Sequence, residues 1–199
     1  MTTADLRISG ADVVLPDGVR RADILIHDGR ISEIVEPSAA AEAREVFDAT
    51  GLHVLPGAID PHVHLGPNIT YPQSSEDVAG ESRSAAAGGV TSMLAYLMST
   101  EPYQDVLPVA RTAMEADSVI DFGFHFCVVT RDQLESIPEY ANELGVSSYK
   151  FFMNFRGEEG AYLGLPGNDD GFLFDLLETC AANGAMLDPH AENIELVWR

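Results

Sequence analysis

Lysine is nearly missing from this 199-residue chain: Lys150 stands alone against ten arginines. Basic residues of any kind are few, 11 against 32 acidic ones, for a net charge of -21. That balance excludes the basic face needed to bind nucleic acid or an anionic membrane. It reads instead as a heavily solvated surface. Cysteine is scarce too. Cys127 and Cys180 cannot build a disulfide framework or a metal-binding pair, and each reads as a buried thiol. No apolar run reaches the roughly 18 to 20 residues of a membrane helix. Asp5, Arg7, Asp12 and Asp17 break any secretory pattern at the N-terminus, so a cytoplasmic location is expected. With 46% hydrophobic and 22% charged residues, the composition is that of a folded protein, not of a disordered one.

The solitary lysine has two readings. Codon bias can replace lysine by arginine everywhere except by accident. Alternatively, one position needs what arginine cannot do, since arginine stays protonated while a buried lysine can become a neutral nucleophile. Composition does not choose between them.

Along the chain the texture changes near residue 52. Before it, residues 6–8, 12–15, 23–26 and 30–35 are short Val/Ile/Leu-rich segments. Pro16-Asp17-Gly18 and Asp28-Gly29 separate them as turns. Residues 38–44 read as a loop or one helical turn, and 45–48 as a further strand. From 52 onward, apolar strand segments (53–59, 91–97, 120–129, 147–153, 185–188) alternate with helical ones (76–87, 103–116, 131–144, 172–182). Ser75 and Thr130 are expected caps, and Gly88 and Gly145 expected stops. Repeated strand–helix units imply a parallel sheet with crossover helices. The expected organisation is therefore α/β: residues 1–51 form one β-rich part and residues 52–199 the strand–helix part. The latter holds five strands and four helices, against the eight of each in a closed (β/α)8 barrel. Residues 193–198 begin another helix with no stop signal. The chain is thus expected to be the front part of a longer protein.

Three constellations carry chemistry. Pro56-Gly57-Ala58-Ile59-Asp60-Pro61-His62-Val63-His64 ends the first strand of the repeat. Residues two apart share a face, so His62 and His64 can offer two imidazoles to one ion, with Asp60 as a further ligand or as the group that orients an imidazole. Ser148-Tyr149-Lys150-Phe151-Phe152-Met153 puts the lone lysine among aromatics, where burial disfavours a charged amine. A neutral amine can capture carbon dioxide as a carbamate whose oxygens bridge two metals. The plain alternative is a lysine paired with one of the many carboxylates. His190-Ala191-Glu192-Asn193 follows the fifth strand. All three lie at the C-terminal ends of expected parallel strands, where barrel enzymes place their sites. Five glycines between 157 and 171 read as a mobile loop beside the site. His125, inside Phe124-His125-Phe126, reads as part of the wall rather than as a ligand.

In this order the motifs resemble those of the cyclic amidohydrolases, in the dihydropyrimidinase, hydantoinase and allantoinase branch. The likeness spans essentially the whole chain, and Asp28-Gly29-Arg30-Ile31 resembles the family's contribution to a small β-sandwich. The resemblance implies an incomplete metal-dependent (β/α)8 TIM-like barrel preceded by a β-sandwich portion. It implies two divalent metal ions, zinc before manganese, iron or nickel. His62 and His64 would hold one ion, Lys150 as a carbamate would bridge both, and His190 would ligate the second. The reaction implied is ring opening of a small cyclic amide or ureide by hydrolysis of its C–N bond. An allantoinase-like activity or a non-catalytic scaffold stand as alternatives. The family's general-base aspartate and its remaining histidine fall beyond residue 199, so the isolated chain is expected to be inactive. A homo-oligomer is expected of the full-length protein. The hydantoinase branch usually carries a tyrosine five residues after the lysine. Here Phe155, preceded by Asn154, holds the substrate-binding position, and a phenyl ring cannot donate that hydrogen bond.

Overall fold

The computed structural model describes residues 3–37, 41–197 and 199. They divide into two compact units, Met1–Gly57 and Ala58–Arg199.

The first unit is a five-stranded mixed sheet of β1 (Ala4–Leu15), β2 (Gly18–His27), β3 (Arg30–Val35), β4 (Ala43–Asp48) and β5 (His53–Val54). The strands run in the order β3-β2-β1-β4, with β5 beside β1. β1–β2 and β2–β3 are antiparallel hairpins, whereas β4 and β5 lie parallel to β1. Asp28 and Gly29 both take positive φ (48° and 71°), which gives the tight reversal a two-residue hairpin requires. Residues 6–8 and 12–15, expected as two strands, are one strand with a register shift between Ile8 and Ala11. Asp23, fully buried, secures that shift. It accepts the Gly10 N–H at 2.7 Å and the Arg7 Nε–H at 2.6 Å, so the buried carboxylate is paired. Of the expected loop at 38–44, residues 38–40 lie outside the described residues, and β4 already begins at Ala43.

The second unit is a five-stranded, all-parallel sheet of β6 (Ala58–Val63), β7 (Val90–Leu97), β8 (Asp121–Cys127), β9 (Ser148–Phe152) and β10 (Met186–His190). Its order, β10-β9-β8-β7-β6, follows the sequence. The expected strand at 53–59 is divided: His53–Val54 pairs with β1, and only Ala58 onward pairs with β7. Pro56-Gly57 interrupts the ladder between them, so the change of unit falls after Gly57 instead of after residue 51.

Crossovers are helical: α1 (Glu76–Ala87), α2 (Tyr103–Asp117), α3 (Arg131–Glu135), α4 (Ile137–Asn142), α5 (Gly157–Tyr162) and α6 (Asp170–Ala182), with α7 (Ile194–Val197) after β10. The single helix expected over 131–144 is broken at Ser136, where Pro138 follows and cannot continue the N–H ladder. Thr130 forms a full capping box with Gln133, as its sequence suggests, whereas the Ser75 side chain caps nothing. The glycine-rich loop expected over 157–171 instead contains α5 and the start of α6, which Asp169 caps by accepting Phe172 N–H at 2.9 Å. Trp198, in the helix expected over 193–198, lies outside the described residues. Among the described residues no helix is long and apolar enough to cross a membrane.

The pleat sorts each parallel strand into two faces. Met93, Ala95, Leu97, Phe126, Tyr149 and Phe151 point to the helices and build the core with Val106, Leu107, Ala110, Met114, Ile137 and Leu176. Tyr103, fully buried, ties two strand ends together: its hydroxyl contacts the carbonyls of Leu97 at 2.7 Å and Cys127 at 2.6 Å. Cys127 and Cys180 are free and buried, as expected.

After β6 the chain reverses through Gly66 and a 3-10 turn, Pro67–Ile69. Gly66 has φ 87°, and a Cβ there would lie 2.1 Å from the Tyr71 carbonyl oxygen. Gly66→Ala is therefore expected to destabilise the protein by more than ~1 kcal/mol. Urea unfolding measures it, and an unchanged midpoint would show that the turn relaxes at no cost.

Candidate active site

The sheet face turned away from the helices carries the polar groups. β7 contributes Tyr96, β8 contributes His125 and Cys127, and β9 contributes Ser148, Lys150 and Phe152. β10 contributes Asp188 and His190, while His62 and His64 close the end of β6. Each set is spaced by two, so one alternation delivers them all.

His62 and His64 meet as their position in the motif suggests: their Nε2 atoms lie 3.3 Å apart. Lys150 Nζ lies 3.4 Å from His62 Nε2. The lysine is buried, only 1% exposed, in a chain of net charge -21. Both readings of it have a counterpart here: it faces the histidine pair, and it is also paired with a carboxylate, Asp188 Oδ2, at 3.7 Å. The Tyr96 hydroxyl donates a hydrogen bond to that same carboxylate oxygen. The ring of Tyr96 packs against His62, His64 and His125, with centroids 4.4, 5.3 and 4.6 Å away.

His190 stands at the edge of this group. Its ring stacks on Phe152 at 5.8 Å, and its Nε2 lies 3.0 Å from Glu192 Oε1. Asp60 accepts the backbone N–H of His62 at 3.0 Å and so fixes the main chain at the motif. Phe155 stacks on Phe152 at 4.3 Å and lines a small apolar cavity of about 10 Å³ with Val129, Leu165 and Pro166. Asn154 Oδ1 is buried without a hydrogen-bond partner. His125 lies in the wall, as expected, with Nδ1 hydrogen-bonded to Ser148 Oγ.

Electrostatics favour neutral imidazoles here. Burial lowers the pKa of His62, and the Lys150 charge adds to it against the opposing pull of Asp188. His64 is lowered by burial and then by His62 and Lys150. His125 is lowered chiefly by burial, with the Pro61 backbone and Asp188 acting the other way. For Asp188, burial acts to raise the carboxyl. The Tyr96 hydrogen bond and the charges on Lys150, His62 and His125 outweigh it and hold the group below the ordinary 3.8. Burial first and the Asp188 bond second push the Tyr96 hydroxyl upward, so it remains a donor. The chemical outcome is two imidazoles with available lone pairs beside one buried amine. Among the described residues, no three His, Cys, Asp or Glu side chains gather closely enough to hold a metal ion by themselves. The third group at the imidazole pair is the lysine. That donor set fits a metal when the lysine supplies oxygens.

Two residues here were not singled out from the sequence, Asp188 and Tyr96. Asp188 had a usable signal: it lies two before His190 on one strand and so must share its face. Tyr96 had none, because an aromatic within an apolar strand reads as core.

The histidine shifts have a consequence for stability. Each imidazole is harder to protonate in the folded protein than in the unfolded chain, whose value is 6.5. The unfolded state therefore binds more protons below that pH, and stability declines as pH falls through 6.5 toward the folded values. Chelator-treated protein is expected to melt at progressively lower temperature between about pH 7.5 and about pH 5.5. His125→Gln should flatten that slope. A slope identical in the variant would show that His125 contributes nothing to it.

No family model matches the chain. Individual relatives do. It is 32% identical over 194 residues to the D-hydantoinase of Geobacillus stearothermophilus, covering 96% of this chain and 40% of that protein. It is 33% identical to the allantoinase of Deinococcus radiodurans, covering 98% and 42%. Among solved structures, one D-hydantoinase superposes with a TM-score of 0.80 at 30% identity, over 96% of this chain and 40% of the other. The L-hydantoinase (dihydropyrimidinase) of Arthrobacter aurescens gives 0.77 at 26% identity, over 98% and 42%. The chain thus spans about two fifths of the length of these relatives. In sequence and in fold, then, the chain is similar to hydantoinases, dihydropyrimidinases and allantoinases over about two fifths of their length.

Proposed function

We propose that the protein hydrolyses the C–N bond of a small cyclic amide or ureide. The parallel sheet is then the first part of a metal-dependent (β/α)8 barrel, and the mixed sheet a portion of a β-sandwich. The observation that carries this reading is the convergence of His62, His64 and Lys150 within 3.4 Å contacts on one sheet face. An allantoinase-like activity uses the same groups. A non-catalytic scaffold has no use for them, and His62, His64, Lys150 and His190 are all retained.

In this reading His62 and His64 would hold one divalent ion and His190 would serve a second. Zinc suits the imidazole donors best. The metals would supply Lewis-acid polarisation of the ring carbonyl and activation of water. Lys150 would stand between them as a carbamate. The neutral Nζ lone pair attacks the carbon of CO2, an N–C bond forms, and one proton leaves to solvent. The carbamate gives two anionic oxygens where an amine offers none. His190 must release Glu192 or bring it along, since the two are now paired.

Substrate would lie against the wall of Phe152 and Phe155. That wall is apolar and excludes water, but it lacks a hydroxyl to meet an oxyanion. Asn154, with its unpartnered buried oxygen, would accept a ring N–H.

Native mass spectrometry of the protein produced from its own gene, with metal analysis, tests the reading, alongside its turnover of hydantoin, dihydrouracil and allantoin, the isolated 199-residue chain being expected to be inactive. Bound metal, the added mass of one CO2 and ring opening of one of these compounds are expected. His62→Asn should abolish metal and turnover together. Retention of both in that variant would remove the basis of the proposal. Phe155→Tyr should raise hydantoin turnover about tenfold or more, the scale of one restored oxyanion donor. Unchanged turnover would show that the position does not select the substrate.

A further inference from the structure

Lys150 needs more than burial to be useful. Its four-carbon stem is flexible, and its nitrogen must lie beside His62 for the carbamate reading above to hold. The aromatic rings of Tyr96 and Phe152 face Nζ at 4.8 and 5.3 Å. Ring faces attract a cation but do not fix its direction closely. Asp188 does. In the β9–β10 register, Asp188 is the Cα partner of Lys150, so both side chains leave the sheet on the same face. Pro189 follows at once and restricts the backbone there, tolerated because β10 is the edge strand among those described. The carboxylate is itself tied by the Tyr96 hydroxyl, and Tyr96 is wedged between His62, His64 and His125.

The 3.7 Å separation is informative. It is an ion-pair distance, longer than the ~2.7–2.9 Å of a charge-assisted hydrogen bond. Asp188 draws the nitrogen to one place without capturing it. Once Nζ carries a carboxylate of its own, Asp188 becomes a like charge alongside. Repulsion then turns the new oxygens away from the Asp188 carboxylate and toward the space between the metal-binding histidines.

We propose that Asp188, anchored by Tyr96, is the positioning residue of Lys150, holding Nζ beside His62 and directing the carbamate toward the metal-binding histidines. This rests on the metal-hydrolase reading and extends it to two residues outside the recognised motifs.

The test uses the protein produced from its own gene, equilibrated with 13C-labelled bicarbonate and zinc. Carbamate is read by 13C NMR and the zinc Kd by chelator competition, with circular dichroism confirming the fold. Asp188→Asn should weaken zinc binding about 10- to 100-fold, the usual cost of losing a group that orients a ligand. The carbamate signal should fall in step. Tyr96→Phe, which removes one oxygen and keeps the ring, should shift both in the same direction, toward the lower end of that range. Wild-type values of both quantities in a folded Asp188→Asn protein would overturn the proposal. If Asp188→Asn does not fold, Tyr96→Phe decides: unaltered zinc affinity and carbamate overturn it. Zinc binding that depends on His62 but shows no carbamate in the wild type would also overturn it, while leaving the metal site standing. Zinc binding indifferent to His62→Asn would bring down the hydrolase reading and this inference together.

Discussion

The site depends on the register of β9 between its neighbours. Cys127, Lys150 and Asp188 are successive Cα partners across β8, β9 and β10. A slip of one residue would send Lys150 into the helix-facing core and bring Tyr149 or Phe151 to the other side. That slip is opposed by the core itself. Tyr149 and Phe151 fill it together with Phe126, Ile137 and Leu176, and no charged group could take their place at tolerable cost. The hydrophobic face therefore fixes where the polar face presents its chemistry.

The polar face is then a problem in charge balance. It gathers four imidazoles, a lysine and the Asp188 carboxylate in a partly buried space. Burial lowers the pKa of His62, His64 and His125, and Lys150 and Asp188 face each other at 3.7 Å. A single lysine in the chain thus acquires meaning from position. Arginine could pair with Asp188, but it could never become the neutral nucleophile that a carbamate requires.

Much of this was legible beforehand. The alternation of strand and helix, the limits of α1 and β3, and the capping of α3 all follow from local patterns of apolar residues, turns and caps. His62 and His64 could be paired by spacing alone. Other features were hidden by competing local signals. Proline at 138 and Pro56-Gly57 divided elements whose periodicity ran on unbroken. The glycines of 157–171 concealed α5, while α6, expected from residue 172, begins two residues earlier under the Asp169 cap. Residues 6–8 and 12–15 read as two strands but form one, with a register shift at Gly10 that the buried Asp23 stabilises.

The sequence by itself determined the period of each strand, and with it which residues could share a face, because the pleat repeats every two residues whatever surrounds it. It also determined the chemical kinds available: two imidazoles two apart, one amine, one further imidazole. Only the tertiary structure decided that Lys150 stands opposite Asp188 and that Tyr96 reaches across to hold it. Those relations join residues up to 92 positions apart. They are set by the register of neighbouring strands, which is chosen by how the whole core packs and not by any local pattern.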